Sequence, residues 1–203
     1  MLEPELEEFL EALCICEQEQ GRYPEGLATG AVVDKSLALG LVTMHDGRCH
    51  LTESGRDVGQ DVVRRHRLAE CLLRDVLAAR PEFLDEDACR FEHVLQHGLT
   101  EKVCCLLGHP AACPHGKPIP PGPCCRAARS DGIYEVTPLC DGRPQQDGTV
   151  VYIATRDKRE VQKMMAMGIL PGTPIKLIQR FPSYVFQIGF SQFAVDLPLA
   201  SII

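Results

Sequence analysis

The chain has 203 residues, 45% of them hydrophobic and 24% charged, a balance typical of a soluble globular protein. No apolar run approaches the roughly 18 residues of a membrane span, and a secretory signal would begin with basic rather than acidic residues. We therefore expect a cytoplasmic protein without a membrane partner. The formal charge is −7; residues 1–60, with twelve acidic and four basic residues, carry −8, so residues 61–203 carry +1. The first sixty residues thus lack the basic patch of a nucleic-acid-binding surface.

The first part of the chain has the outline of a reduced winged-helix domain. Residues 5–20 place apolar side chains on one stripe of a helix, and residues 31–39 predict a second, shorter helix. The pair Asp46-Gly47 lies between two short apolar runs, which is typical of a β-hairpin. We assign residues 1–60 to this domain.

The next part is predicted to be entirely helical. A long helix from about residue 56 to 79 carries more apolar surface than one intramolecular face needs, which indicates packing against a partner subunit in a homodimer. Pro81 interrupts the pattern, and further helices are expected over residues 84–96 and 101–107. We assign residues 61–126 to this domain.

Two sets of candidate metal ligands recur at helical spacing in this region. His66 and Glu70 are four residues apart, and Cys89, Glu92 and His93 occupy positions i, i+3 and i+4, so each set shares one helix face. A thiolate, a carboxylate and an imidazole together suit a first-row transition metal. A charged, solvated helix surface is the alternative, and spacing alone does not decide between the two.

The last part of the chain changes in texture. Residues 109–122 are too proline-rich for a helix or central strand and predict an ordered loop, and residues 127–133 read as a linker. Residues 134–203 predict a small, partly open SH3-like β-barrel interrupted by a helix over residues 159–167. Strands are expected at residues 150–153, 175–178, 184–188 and 193–195. The fold class is therefore α+β.

Cysteine is unusually frequent. The eleven cysteines are an odd number without an export signal, so reduced thiols, metal ligands or an iron–sulfur centre fit better than disulfides. Five of them near the proline-rich loop are candidates for an additional zinc or iron–sulfur site: Cys104, Cys105, Cys113, Cys124 and Cys125. Neither adjacent pair has C-x-x-C spacing, so inert thiols that pack as small hydrophobic groups are the alternative.

Three motifs carry a resemblance to a known family. VRRHRLAE at 63–70, DACRFEH at 87–93 and LGHPAACPHGKPI at 107–119 resemble, in that order, the metal-binding and dimerisation domain of the diphtheria-toxin-repressor family. LTESGR at 51–56 resembles the end of that family's wing, and MGILPG at 167–172 is similar to the ferrous-iron-transport A-like (FeoA-like) SH3 domain often appended to it. The resemblance implies a homodimeric transcriptional regulator, not an enzyme, with Fe(II) or Mn(II) as corepressor for DNA binding.

The resemblance also implies two metal sites. The ligands of the primary site would be Glu8, Cys89, Glu92 and His93. Those of the ancillary site would be His66, Glu70 and Asp85, with Asp85 standing where the family has histidine. In some relatives the SH3 domain contributes ligands, here Asp157 and Glu160, although acidic residues also favour the first turn of any helix.

One region departs from the family. Residues 22–39 are too few for both helices of a helix-turn-helix, and Thr29 and Lys35 are the remaining candidates for DNA contact. Three alternatives stay open: weak DNA binding, binding through the arginines of the RRHR motif (Arg64, Arg65 and Arg67), or loss of DNA binding. The second functional hypothesis is therefore a metal- or iron–sulfur-binding sensor that does not bind DNA in the family manner.

Overall fold

The computed structural model describes residues 2–95, 98–130, 136–155 and 157–203. It combines helices with short antiparallel strands, which confirms the α+β class. The helices are α1 Pro4–Glu19, α2 Gly30–Ala38, α3 Glu53–Cys71, α4 Leu84–Glu92, α5 Leu99–Leu106, α6 Pro123–Ser130, α7 Lys158–Ala166 and α8 Leu197–Ser201. The strands are β1 Val42–His45, β2 Arg48–Leu51, β3 Asp147–Thr149, β4 Pro174–Gln179, β5 Tyr184–Ile188 and β6 Ser191–Val195. None of the helices in these ranges is long and apolar enough to cross a membrane.

The winged-helix region packs on the first half of α3. Its core is formed by apolar side chains of α1, α2 and the β1–β2 hairpin, among them the fully buried Phe9 and Leu10. A Cβ at Gly59 of α3 would lie 2.8 Å from the Leu10 carbonyl oxygen, and one at Gly55 would lie 1.8 Å from the Leu41 carbonyl oxygen. The two glycines therefore let α1 and the hairpin approach the α3 backbone directly.

The segment between α1 and the hairpin forms one helix. Within the described residues 20–41, α2 is the single helix, as the length of the segment predicts. The β1–β2 hairpin is also confirmed, with Val42 opposite Leu51 and His45 opposite Arg48.

A second core lies among α3, α4, α5, α6 and the proline-rich loop. Leu68, Ala69, Leu95 and Cys104 are fully buried in it. The long helix is shorter than expected, because α3 passes at Leu72 into a π-helical turn that ends at Val76. The loop is ordered as predicted, with hydrogen bonds such as that from the Cys113 N–H to the Lys117 carbonyl, 2.9 Å long.

Two boundaries in this region differ from the sequence predictions. Helix α4 ends at Glu92 rather than near residue 96, which lies outside the described residues. Residues 127–130 of the expected linker belong to α6, whereas residues 131–133 of the linker and the expected start of the last domain at Tyr134 lie outside the described residues. The domain limits themselves stay a prediction.

The C-terminal part is a four-stranded antiparallel sheet in the order β3-β4-β5-β6, with α7 and α8 beside its core, in agreement with the SH3-like prediction. The first predicted strand is misplaced: β3 comprises 147–149, and residues 150–153 are not a strand. Val150 instead hydrogen-bonds the turn before β4, donating to Thr173 and accepting from Gly172. Its backbone is therefore satisfied without a strand partner. Helix α8, capped by Asp196, was not predicted.

Candidate metal centres

Four consecutive residues of α3 bind four different parts of the molecule. Arg64, Arg65 and Arg67 are between 3% and 5% exposed, which is unusual for arginine. Arg64 reaches the proline-rich loop and α6, Arg65 reaches α1 and α4, and Arg67 reaches α1 and the loop. His66 lies among carboxylates. Because α3 is buried on several sides here, it fixes the elements that carry the candidate ligands.

A first donor group joins α1 to α4. The Cys89 Sγ lies 3.8 Å from the Glu8 Oε1, and the His93 Nε2 lies 3.9 Å from the same oxygen. The three donor atoms lie within 4.8 Å of one another. Burial, together with the carboxylates of Glu92, Glu8 and Glu11, raises the pKa of the Cys89 thiol to about 12. The thiol therefore keeps its proton at neutral pH unless a cation displaces it.

Glu92 lies between this group and the next. Its side chain is fully buried, and its Oε2 lies 2.6 Å from the His66 Nδ1. Its Oε1 lies 3.8 Å from the His93 Nε2, and neither buried atom has a hydrogen-bond partner among the described residues. Two buried donor atoms left unpaired and side by side are costly, and a shared cation would satisfy both. The donor set of Glu8, Cys89, Glu92 and His93 thus fits a divalent metal ion.

Glu7 orients this site and was not predicted from the sequence. Its carboxylate binds the Arg65 guanidinium at 3.0 and 3.2 Å and lies 2.7 Å from the His93 Nδ1. With a proton on Nδ1 donated to Glu7, the Nε2 of His93 carries the lone pair that a metal needs. Glu7 is only 5% exposed. The sequence did not predict this, because several other glutamates surround Glu7 in α1 and nothing distinguishes it from them.

A second donor group surrounds His66. Its Nε2 lies 3.8 Å from the Glu70 Oε1 and 3.6 Å from the Asp85 Oδ1, so the structure brings the three predicted ancillary ligands together. Glu11, which the sequence did not single out, adds a carboxylate 3.9 Å from the His66 Nδ1. The crowding of acidic groups would favour a cation here as well.

The pKa values of this group reflect the crowding. Burial opposes protonation of His66, but the hydrogen bond to Glu92 and the charges of Glu11, Glu92 and Glu70 raise its pKa to about 9. Burial and the Glu92 carboxylate raise the pKa of Glu11 to about 7. In the absence of a metal, a proton on His66 therefore supplies the positive charge between the carboxylates.

The other predicted ligands fall into two places. Cys113 lies near Glu70 and His115, whose Nδ1 is 2.6 Å from the Glu70 Oε1, so Cys113 is separate from the other loop cysteines. Asp157 caps α7 by accepting a 2.8 Å hydrogen bond from the Arg159 N–H, and Glu160 bonds the Thr155 hydroxyl. Neither belongs to a group of three donors within 4.8 Å in the described part of the chain.

Three of the four other candidate cysteines form a separate group with a histidine. Cys104 of α5 and Cys124 and Cys125 of α6 lie together with His109, and one donor atom of each lies within 4.8 Å of the others. Cys105 is outside this group. Burial, the largest influence on Cys125, opposes ionisation, but hydrogen bonds from the Gly122 backbone and Cys104, with the Arg64 charge, lower its pKa.

The candidate DNA-contacting residues lack a basic surface. Thr29 is exposed at the start of α2, but the Lys35 Nζ lies 2.5 Å from the Glu3 Oε1. The alternative that the three arginines of α3 contact DNA is wrong, because all are buried in contacts within the chain.

Comparison with known proteins matches two parts of the chain to known families. Residues 52–121 match the model described as iron dependent repressor, metal binding and dimerisation domain, and residues 137–203 match the FeoA domain. The chain is 41% identical over 75 residues to the iron-dependent repressor IdeR of Mycobacterium tuberculosis H37Rv, covering 37% of this chain and 33% of the relative. It is 38% identical over 137 residues to the diphtheria toxin repressor of Corynebacterium jeikeium, covering 68% and 51%.

Coverage differs between curated and structural relatives. The repressor of Corynebacterium diphtheriae is 25% identical over 145 residues, covering 69% of this chain and 64% of the relative. The chain thus spans between about a third and about two thirds of these curated relatives. The solved structure of the manganese regulator SloR has the same fold, with a TM-score of 0.52 and 20% identity, covering 100% of this chain and 98% of that one. The matches to the two family models confirm the resemblance: residues 52–121 belong to the iron dependent repressor metal binding and dimerisation domain family, and residues 137–203 to the FeoA domain family.

Proposed function

We propose that this protein is a homodimeric transcriptional regulator of metal homeostasis, with Fe(II) or Mn(II) as corepressor for DNA binding. The observation that carries the proposal is the pair of buried, unpartnered atoms, Glu92 Oε1 and His93 Nε2, 3.8 Å apart beside Glu8 and Cys89. The iron-dependent repressor and the diphtheria toxin repressor among its relatives support a regulatory rather than an enzymatic function.

The chain's own residues hold this site in a defined geometry. Glu8 comes from α1, whereas Cys89, Glu92 and His93 come from α4 and its end. Glu7 and Arg65 fix the orientation of His93, and His66 holds the other oxygen of Glu92. A divalent cation, when bound, would supply the positive charge that joins the two helices.

The consequence for DNA binding follows from the position of α1. Because α1 packs against both the hairpin region and α3, its attachment to α4 would favour one orientation of the winged-helix region over others. Ligands that converge from separate elements couple binding to conformation in this way.

The donor types favour harder ions. Glu8 and Glu92 offer two carboxylates to one thiolate and one imidazole, and carboxylate ligands suit Fe(II) and Mn(II) better than softer ions. We propose that His66, Glu70 and Asp85 form the ancillary site, with Glu11 as an added carboxylate on the other side of the His66 ring.

Dimerisation fits the exposed apolar side chains of the helical region. Leu77, Phe83, Val94 and Leu99 are between 41% and 63% exposed. Apolar groups of this size left in water commonly mark a partner surface.

The test is metal-dependent binding to the DNA upstream of the protein's own coding sequence. We expect fluorescence anisotropy of labelled DNA to rise on addition of protein with Mn(II), or anaerobically with Fe(II), and to fall when a chelator is added. The Glu8→Gln variant, which loses one ligand, should need a higher metal concentration. Absence of a metal-dependent rise at low salt would refute the DNA-binding function.

A second function is favoured by a specific observation. Between α1 and the hairpin there is one helix rather than two, and Lys35 on it is paired with Glu3. We therefore keep the alternative of a metal sensor that binds no DNA in the family manner and acts through protein partners. Metal-dependent protection from proteolysis at the α1–α4 contact without a change in DNA anisotropy would favour this alternative.

A further inference from the structure

The group of Cys104, His109, Cys124 and Cys125 lies apart from both sites described above. Cys104 lies on α5, His109 follows the turn at Gly108, and Cys124 and Cys125 lie in the first turn of α6. None of the four belongs to the donor groups around His66, His93 or His115. Any ligand that it holds is therefore additional to the metals of the proposed function.

The distances between the donor atoms match a single tetrahedral ion. The Cys104 Sγ lies 3.5 Å from the Cys125 Sγ and 3.5 Å from the His109 Nδ1, and the Cys124 Sγ lies 4.0 Å from the Cys125 Sγ. Tetrahedral zinc, with bonds of about 2.3 Å to sulfur and about 2.0 Å to nitrogen, requires sulfurs about 3.8 Å apart and sulfur and nitrogen about 3.5 Å apart. Three of the six donor–donor distances are thus close to those that the ion needs, and the other three are within 4.8 Å.

The positive charge of Arg64 beside the group favours a negatively charged metal centre. Arg64 is 3% exposed, and its Nη2 lies 3.3 Å from the Cys124 Sγ and 3.6 Å from the Cys125 Sγ. Arg64 also donates a hydrogen bond to the Pro120 carbonyl, and no carboxylate pairs with it in the described part of the chain. A buried guanidinium without a counter-charge is strongly unfavourable. Three thiolates with one divalent cation carry a charge of −1, which the Arg64 charge would neutralise.

The backbone makes room for this arrangement. A Cβ at Gly122 would lie 2.6 Å from the Arg64 Nε, so a larger residue there would displace the guanidinium from its position beside the sulfurs. His109 adopts a left-handed φ of 55°, which turns its ring from the end of α5 toward Cys104. Two special backbone positions thus serve the same cluster.

We propose that Cys104, His109, Cys124 and Cys125 bind one thiophilic divalent ion, Zn(II) by preference, in a Cys₃His tetrahedral site that Arg64 neutralises. The close packing of the sulfurs favours a mononuclear site over a [4Fe–4S] cluster, in which each thiolate binds a different iron and the sulfurs lie farther apart. Binding releases the protons of three thiols, and no electron is transferred.

The site would also touch the C-terminal part of the chain. The His109 ring packs edge-on against Tyr152, with centroids 5.7 Å apart, and a Cβ at Gly108 would lie 2.5 Å from the Ile153 carbonyl oxygen. An ion bound to His109 would therefore stabilise the contact between the end of α5 and residues 152–153 of the FeoA domain.

The test uses Co(II) as a spectroscopic substitute for Zn(II) in the full-length protein, purified under reducing and anaerobic conditions. Cobalt bound tetrahedrally by three thiolates gives intense charge-transfer absorption that a site with one thiolate cannot match. We expect one such Co(II) per chain, displaced stoichiometrically by Zn(II). The spectrum should persist in Cys89→Ser, which removes the thiolate of the primary site, and in Cys16→Ser, a control cysteine of α1.

The spectrum should be lost in Cys125→Ser. Because that cysteine is buried, His109→Gln provides a second variant at a half-buried position, expected to keep the thiolate absorption but to weaken Co(II) binding at least about tenfold. An unchanged spectrum and stoichiometry in both variants would overturn the proposal, as would wild-type protein without three-thiolate absorption. Recovery of acid-labile sulfide would replace the single ion by an iron–sulfur cluster.

Discussion

Replacement of Glu7 by glutamine tests a residue that orients a metal ligand without being a ligand itself. The Glu7 carboxylate is buried, pairs with the buried Arg65 at 3.0 Å and lies 2.7 Å from the His93 Nδ1. Glutamine keeps the size of the side chain but leaves the Arg65 charge without its main partner. Removal of one member of a buried ion pair costs about 3–5 kcal/mol, and we expect the lower end because glutamine can still accept a hydrogen bond.

The same substitution should weaken metal binding without removing a ligand. His93 would lose the acceptor that fixes its ring and its protonated nitrogen, and loss of such a partner typically lowers metal affinity about 10–100-fold. Glu8→Gln is the matched control on the same helix turn. It should reduce metal affinity at least as much but change the free energy of unfolding by no more than about 0.5 kcal/mol, because the Glu8 side chain is 36% exposed.

The assays are urea unfolding in the presence of a chelator and Mn(II) titration followed by the electron paramagnetic resonance of the free ion. An unfolding midpoint of Glu7→Gln equal to that of the wild type would refute the buried ion pair. Loss of stability with unchanged Mn(II) affinity would refute the orienting role of Glu7.

Three further predictions concern pH, packing and assembly. The pKa of His66 is raised from 6.5 to about 9, so its protonation contributes roughly 3 kcal/mol of stability that is complete below pH 6.5 and lost as the pH rises through about 9. Urea titrations of metal-free protein from pH 6 to pH 10 should show this decline, and His66→Gln should flatten it. Gly55→Ala should destabilise the fold by at least about 2 kcal/mol in thermal unfolding, since its Cβ would lie 1.8 Å from the Leu41 oxygen, whereas Gly30→Ala, with open space around it, should be nearly neutral. Val94→Glu, which places a charge on a side chain 63% exposed in one chain, should shift sedimentation velocity toward the monomer; an unchanged dimer would place the interface elsewhere.

Periodicity and turn chemistry predicted most elements of the fold. Helices α1, α2, α4 and α7 and the hairpin begin within a few residues of the expected positions, because each is amphipathic or bounded by glycine or proline. The end of α3 was not predictable, since no proline or glycine marks the π-helical turn at Leu72. The strand predicted at residues 150–153 is absent from the structure. An apolar run indicates burial but not strand pairing, and the backbone of Val150 hydrogen-bonds a turn instead.

The metal sites were likewise predicted only in part from the sequence. Helical spacing brought Cys89 and His93 to one place, and resemblance to a family supplied Glu8 across 81 residues of sequence. Neither could show that Glu7 rather than another acid of α1 is buried, because this depends on how α1 is rotated against α3. The grouping of Cys104 with Cys125 was also beyond sequence reasoning, as it depends on where the proline-rich loop returns the chain.

The four consecutive residues of α3 that bind in four directions have a thermodynamic consequence. Arg64 serves the cysteine group, and Arg65 and His66 serve the groups around His93 and Glu92. Since adjacent residues on one rigid helix cannot move independently, a shift of α3 that improves one ion's coordination alters that of the others. The occupancies of these sites would then be linked, and linkage is reciprocal: whatever factor a zinc ion imposes on the affinity for iron or manganese, those ions impose on the affinity for zinc. The response of such a chain to iron or manganese would then depend on the zinc concentration as well.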